Sequence, residues 1–269
     1  MTPASQSNSS TDSAAPDLFD MTGKVAVVTG GSRGLGREMC LAFAARGAEV
    51  VVASRKFDNC EALANEITAT HGTDALPVAC HVGNWDDCDS LIATTLDRFG
   101  TIDVLVNNAG MSPLYPSLGA VSEDLFDKVI AVNLRGPFRL AALAAEHMQA
   151  HDGGSIINVS STSSIQPNAA EIPYGAAKAG LNALTVGLAH MFGPSVRVNG
   201  IMPGPFLTDI SKAWDLDAFN ADAKTTIPLQ RGGQAPEIVG AALYLASSAS
   251  SYTSGSILKV DGGMAWSPA

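Results

Sequence analysis

The sequence predicts a single-domain α/β fold: a doubly wound parallel sheet of about seven strands with helices on both faces. Three observations predict it. Short β-branched apolar runs alternate with helix-period segments along almost the whole chain. Several of those runs, such as VAVV at 25–28 and VVVA at 50–53, are apolar at successive positions rather than at alternate ones, as strands covered on both faces are. The length of 269 residues, 46% hydrophobic and 16% charged, suits one large α/β domain.

Taken in order, residues 24–30 (KVAVVTG) form a strand that stops at a glycine, and residues 36–47 (GREMCLAFAARG) a helix with a glycine stop. Residues 48–54 (AEVVVAS) give the second strand and 58–72 (DNCEALANEITATHG) the second helix. Strand 75–80 (ALPVAC) precedes helix 86–100 (DDCDSLIATTLDRFG), and 102–110 (IDVLVNNAG) is the fourth strand. Two helical stretches follow, 122–136 and 137–150, then strand 154–161 (GSIINVSS). A long helix covers 173–193, with Pro173 at its start, where a missing N–H costs nothing. Strand 195–201 (SVRVNGI), helix 235–249 and strand 256–263 (SILKVDGG) complete the series. The one irregular stretch, 205–234, is expected to be a lid over a substrate site.

Residues 1–20 are rich in Ser, Thr, Ala and Pro and are expected to be a disordered tail, leaving 21–269 as the domain. The tail lacks the cationic start and apolar core of a secretory signal. A net charge of −10 argues against general nucleic-acid binding, which needs clustered Lys and Arg. No apolar run approaches the roughly 20 residues of a membrane span, so no membrane partner is expected. Cys40, Cys60, Cys80 and Cys88 show no CxxC spacing, and His81 between the last two leaves too few ligands for zinc. No metal is therefore expected; free thiols in a reducing cytoplasm are. Helices 137–150 and 173–193 are apolar nearly all round, through Leu140, Leu143 and Met148 in one and Leu181, Val186, Met191 and Phe192 in the other. One face of each can meet the sheet, and the other calls for a second copy of the chain. A homo-oligomer is expected, a tetramer ahead of a dimer.

Residues 29–36 (TGGSRGLG) stand straight after the first strand and open the first helix. Gly30, Gly34 and Gly36 let backbone N–H groups approach an anion, and the helix N-terminus favours negative charge. In this strand–turn–helix setting the run predicts a dinucleotide cradle of Rossmann type, with Ser32, Arg33 and Leu35 as further contacts. The spacing is GxxxGxG rather than GxGxxG. Where an NAD site usually carries an acidic residue, the second strand ends in Ser54, Arg55 and Lys56. No carboxylate is there to repel a 2′-phosphate, and guanidinium groups bind phosphate through paired hydrogen bonds. NADP(H) is therefore favoured over NAD(H).

Tyr174 and Lys178 stand four residues apart on a helix and so share a face. A phenol ionises near pH 10, too high for efficient proton exchange at neutrality. A neighbouring ammonium favours phenolate, and bringing the pKa from about 10 to about 7 takes roughly 4 kcal/mol.

The glycine turn, NNAG at 107–110, Ser161 and the Tyr174/Lys178 pair, in this order, resemble the short-chain dehydrogenase/reductase family from about residue 22 to 263. PGPFLT at 203–208 and VDGG at 260–263 match segments of that family too. The resemblance implies a catalytic set of Tyr174 as acid/base, Lys178 as its partner, Ser161 as hydrogen-bond donor to the substrate oxygen, and Asn133 holding a water in a relay to Lys178. Ser160 competes for the serine role; family spacing to the tyrosine favours Ser161. The resemblance also implies cofactor contacts: Asn108, Ala109 and Gly110 on the adenosine ribose side, Val82 against adenine, and Pro203, Gly204, Phe206 and Thr208 toward the nicotinamide, with Tyr174 and Lys178 adjoining. Many relatives carry an acidic residue where His81 stands; a loop-structuring role is expected for this histidine.

The expected function is hydride transfer between NADP(H) and a carbonyl or secondary alcohol of a small molecule. An alternative is a 3-oxoacyl-[acyl-carrier-protein] reductase, whose acidic partner wants basic residues that EHMQAHDGG at 146–154 lacks. A second is a non-catalytic nucleotide-binding or scaffold protein, which the complete catalytic set disfavours.

Overall fold

Five consecutive buried residues, Val25–Thr29, make β1 in the centre of the sheet. The structure is a computed structural model and describes residues 16–208, 211 and 214–265. After β1 come α1 (Gly34–Ala45), β2 (Glu49–Ser54), α2 (Phe57–His71), β3 (Ala75–Ala79), α3 (Trp85–Phe99) and β4 (Val104–Asn107). The second half holds α4 (Glu123–Ile130), α5 (Gly136–Ala150), β5 (Gly154–Val159), α6 (Ile172–Phe192) and β6 (Val196–Pro203). It ends with β7 (Phe206–Leu207), α7 (Leu216–Thr226), β8 (Gly233–Gln234), α8 (Val239–Ala246) and β9 (Ile257–Val260).

The main sheet has seven strands in the order β3-β2-β1-β4-β5-β6-β9, and every pair is parallel. The predicted α/β fold is the one observed. The chain winds outward from β1 to β3, then returns to place β4 beside β1 and winds the other way. That reversal opens a crevice at the carboxyl ends of β1 and β4, where ligands of such sheets bind. One core layer joins α1, α2 and α8 to the sheet through Met39, Phe43, Ile67 and Leu245. The other joins α3, α5 and α6 through Leu91, Leu140, Met148 and Phe192.

Three features differ from the sequence expectation. Residues 1–15 of the expected tail lie outside the described residues, but 17–20 are held to the domain. Asp17 pairs with Arg46 at 3.2 Å, the Leu18 carbonyl accepts from Ala249 N at 3.2 Å, and Phe19 packs on the core. Second, the stretch 205–234 contains a regular helix, α7, whose N-cap Asp215 accepts from Ala218 N at 3.0 Å. Its low apolar content hides it from a periodicity search, although the Asp cap is a legible start signal.

Third, α4 and α5 are not two helices meeting at Pro137; a π-helical turn, Ala131–Arg135, joins them without a break. Two residues account for it. Asn133 Nδ2 donates to the Val129 carbonyl at 2.9 Å, so the side chain takes an acceptor of the helical ladder. Pro137 has no N–H to give the Asn133 carbonyl four residues earlier. Widening by one residue absorbs both losses, and such turns recur at functional sites.

Candidate active site

The cradle is built from β1 outward. Thr29 ends the strand with its hydroxyl buried, donating to the Val106 carbonyl at 3.1 Å and accepting from Asn108 N at 3.0 Å and Ala109 N at 3.1 Å. Asn108 Nδ2 donates back to the Thr29 and Gly30 carbonyls at 2.9 and 3.2 Å. The side chain of Asn108, expected on the ribose, thus knits the ends of β1 and β4 together. Gly30 has φ of 63°, and a Cβ there would lie 2.9 Å from Ala109 Cα. At Gly36 a Cβ would overlap the Gly30 carbonyl, so only glycine lets α1 begin this close to the turn. Thr208 faces Gly34, whose absent Cβ would stand 3.7 Å from its side chain.

The far wall of the cradle is the end of β2. Ser32 Oγ and Ser54 Oγ are hydrogen-bonded at 3.0 Å, which ties the glycine turn to that strand. Arg33, Arg55 and Lys56 are exposed around this contact, and none pairs with a carboxylate among the described residues. The first turn of α1 carries no acidic residue. An open glycine turn, a helix N-terminus and three uncommitted cations fit a phosphate-bearing dinucleotide. Leu35 is half-buried against the core. Val82 is buried in the layer under α3 and α5. His81 accepts from Gly83 N at 3.1 Å through Nδ1, while its backbone N–H donates to the Asp87 carboxylate at 2.9 Å, so it shapes the loop.

The second half of the site hangs on the end of β5 and the start of α6. Lys178 is buried, and Nζ donates to the Val159 carbonyl at 2.8 Å while lying 5.7 Å from the Tyr174 ring centroid. Burial pulls the lysine down to about 8. Tyr174 moves the opposite way. Burial pushes its phenol up to about 12, a hydrogen bond from Ser161 opposes this, and the charge of Glu171 adds to it. The expectation that the ammonium would bring the phenol toward neutrality is corrected here: desolvation of the phenolate outweighs a cation held away on a carbonyl.

Ser161 Oγ accepts from Ser163 N at 3.1 Å and is itself hydrogen-bonded to the Tyr174 phenol. Ser160 is buried, with no partner for its hydroxyl among the described residues. Asn133 commits its whole amide: Oδ1 accepts from Met111 N at 3.2 Å, and Nδ2 donates to Met111 O at 2.8 Å besides Val129 O. What it leaves free of an i+4 donor is its backbone carbonyl, through Pro137. Gly110 is where the parts meet, since a Cβ there would be 3.1 Å from Asn133 Oδ1 and 3.7 Å from Lys178 Nζ. It therefore borders Asn133 and Lys178.

Phe206 and Gly204 both pack against other parts of the chain. The Phe206 ring is buried in the core, because β7 pairs it with Gly233, where a Cβ would lie 2.8 Å from the ring. Gly204 packs on Asp261, which accepts from Gly263 N and Ala265 N at 2.9 and 2.7 Å, so VDGG braces the end of β6, at Pro203. Neither Thr29 nor Glu171 was given a role by the sequence reading; the charge of Glu171 beside Tyr174 was a usable signal. Among the described residues no group of three His, Cys, Asp or Glu could hold a metal ion.

The family model described as enoyl-(acyl carrier protein) reductase matches residues 30–265. The chain belongs to the short-chain dehydrogenase/reductase family. Relatives of this oxidoreductase family include a peroxisomal 2,4-dienoyl-CoA reductase of Danio rerio, 36% identical over 94% of this chain and 84% of that protein. A 3-oxoacyl-[acyl-carrier-protein] reductase of Synechocystis is 39% identical over 91% of this chain and 98% of its own. Among solved short-chain dehydrogenase/reductase structures, a gluconate 5-dehydrogenase of Burkholderia cenocepacia in complex with NADP and tartrate aligns with a TM-score of 0.87 at 34% identity, covering 92% of this chain and 97% of that one.

Proposed function

We propose that this short-chain dehydrogenase/reductase moves hydride between NADP(H) and a carbonyl or secondary alcohol. One observation carries the reading: a buried lysine, a half-buried tyrosine and a serine hydroxyl bonded to that tyrosine converge beside a glycine cradle flanked by cations that pair with no carboxylate among the described residues. The dinucleotide supplies or accepts the hydride when bound. Tyr174 gives its phenolic proton to the substrate oxygen, and a phenol held near 12 is fully protonated for that purpose. Ser161 donates a hydrogen bond to the same oxygen as charge develops on it. Lys178 stabilises the phenolate left behind, and the Asn133 carbonyl holds the water that reprotonates the pair.

Arg33, Arg55 and Lys56 take the 2′-phosphate in this reading, and the NADP bound by the Burkholderia relative supports it. Arg55→Ala raises Kd for NADPH at least about tenfold more than for NADH, as expected for one lost charge-assisted contact of about 1.5–3 kcal/mol. Equal losses, measured by fluorescence titration, would remove the phosphate role. The segment 205–234, with α7 at its centre, closes over the substrate as a lid. Four free thiols suit a reducing cytoplasm, and among the described residues no helix is long and apolar enough to cross a membrane.

A homo-oligomer, a tetramer before a dimer, follows from the apolar residues that α4, α5 and α6 leave exposed: Phe126, Phe138, Val186 and Met191. Sedimentation at micromolar concentration is expected to give a species of at least two chains; a monomer would contradict the packing argument. The Synechocystis relative keeps 3-oxoacyl carrier-protein reduction as the second reading. The deciding experiment is a panel of ketones, alcohols and 3-oxoacyl thioesters with NADPH, NADH and their oxidised forms. Turnover of small ketones with NADPH is expected; no turnover of any carbonyl or alcohol would end the proposal.

A further inference from the structure

A small hollow beside Tyr174, of about 10 Å³, is lined by Pro113, Tyr115, Leu125, Val129, Glu171 and Pro173. Five of these are apolar or aromatic, and Glu171 is the only charged one. Ser163 Oγ donates to its Oε2 at 2.9 Å, while Oε1 takes no hydrogen bond or ion pair among the described residues. The wall carrying it is fixed: Tyr115 donates its hydroxyl to the Ala169 carbonyl and accepts from Ile172 N, both at 3.0 Å. A second hollow shares Pro173 and continues outward past Phe126 and Ile172 to Glu123, another carboxylate. Neither hollow is lined by Lys, Arg or His.

A carboxylate with an open oxygen in an otherwise apolar cleft attracts a cation and repels an anion more strongly than the same group in water. It stands three residues before the tyrosine that meets the substrate oxygen. We infer that the substrate is a ketone or alcohol bearing a protonated amine, which Glu171 receives, and that carboxylate-bearing substrates are turned away. This rests on the carbonyl reading above. Glu171 acts as a specificity residue, selecting what Tyr174 protonates.

The test uses four ring ketones with NADPH at pH 6.5: cyclohexanone, 4-hydroxycyclohexanone, N-methyl-4-piperidone and 4-oxocyclohexanecarboxylate. In the wild-type protein kcat/KM for the cationic piperidone is expected to exceed that for cyclohexanone at least about tenfold, and the keto acid to fall at least about tenfold below it. Glu171→Gln brings the piperidone-to-cyclohexanone ratio to within about threefold of unity, and Glu171→Asp retains the preference. The ratio is the readout because the charge of Glu171 also acts on Tyr174, and that effect is common to all four ketones. Added salt must shrink the wild-type ratio, which tests the inference without any variant. A ratio near unity, a ratio unmoved in Glu171→Gln, or a hydroxyketone matching the amine would overturn the charge assignment. If even cyclohexanone is inert the carbonyl reading fails instead. The four compounds are then compared as ligands by the fluorescence of bound NADPH, where absence of any preference for the amine overturns the inference too.

Discussion

Tyr174→Phe lowers kcat for carbonyl reduction by about a thousandfold while NADPH still binds within about twofold of the wild-type affinity. In the proposed mechanism the phenol is the acid that protonates the substrate oxygen, and general acids contribute typically 10²–10⁴-fold. The ring itself stays, so the packing against Lys178 at 5.7 Å is kept. Stopped-flow measurement of NADPH oxidation separates the two effects, since binding is read before turnover. A variant that retained more than a tenth of the activity would show that another group delivers the proton, and Ser161 would be the next to remove.

Lys178→Met is expected to cost at least about a hundredfold in kcat and yet to raise the melting temperature. Burial lowers the lysine from 10.5 to about 8, so at pH 7 the folded protein holds a charge that it would hold more cheaply unfolded. A shift of that size corresponds to about 3 kcal/mol, from which about 1 kcal/mol is subtracted for the lost hydrogen bond to Val159. The sign follows from linkage. Below pH 8 both states are protonated and the penalty is complete. Between 8 and 10.5 the folded state sheds its proton first, so wild-type stability from this group rises with pH and the gap to the variant closes. Calorimetry at pH 7 and pH 10 checks both points. The wild-type kcat/KM for reduction should decline above pH 8 as the ammonium is lost, in contrast to the stability trend. A destabilised variant at pH 7 would contradict the burial argument.

Much of the fold was legible because strands covered on both faces leave continuous apolar runs, as in Val25–Val28 of β1, Val50–Ala53 of β2 and Val104–Val106 of β4; β6 and β9 carry Arg197, Asn199 and Lys259 within theirs. Glycine spacing after β1 marked the cradle for the same reason: the chain can approach an anion closely only where side chains are absent. The i, i+4 relation of Tyr174 and Lys178 fixed a shared face but not a contact. It could not say that the ammonium rests on the Val159 carbonyl, because that depends on where β5 ends in space. The π turn stayed hidden since its apolar period runs on through Asn133 unaltered; the diagnostic pair, an asparagine four residues before a proline, is local and easily passed over. Helix α7 carries too few apolar residues for a periodicity argument. Thr29 reads as an ordinary strand residue, and its role exists only because β4 lies beside β1. Glu171 was legible as a charge and not as a wall of the cleft, which Pro113 and Tyr115 complete from far along the chain.

The bond between Thr29, Asn108 and the Gly30 carbonyl lies where the two counter-running halves of the sheet abut. It is a side-chain stitch across a seam that the backbone ladder leaves after the Val28–Val106 pair. A dinucleotide lying along that seam would brace both halves at once. Occupancy would then be felt as slower amide exchange at Gly30 and Ala109 together, and damage to the stitch would loosen nucleotide grip and heat resistance in step.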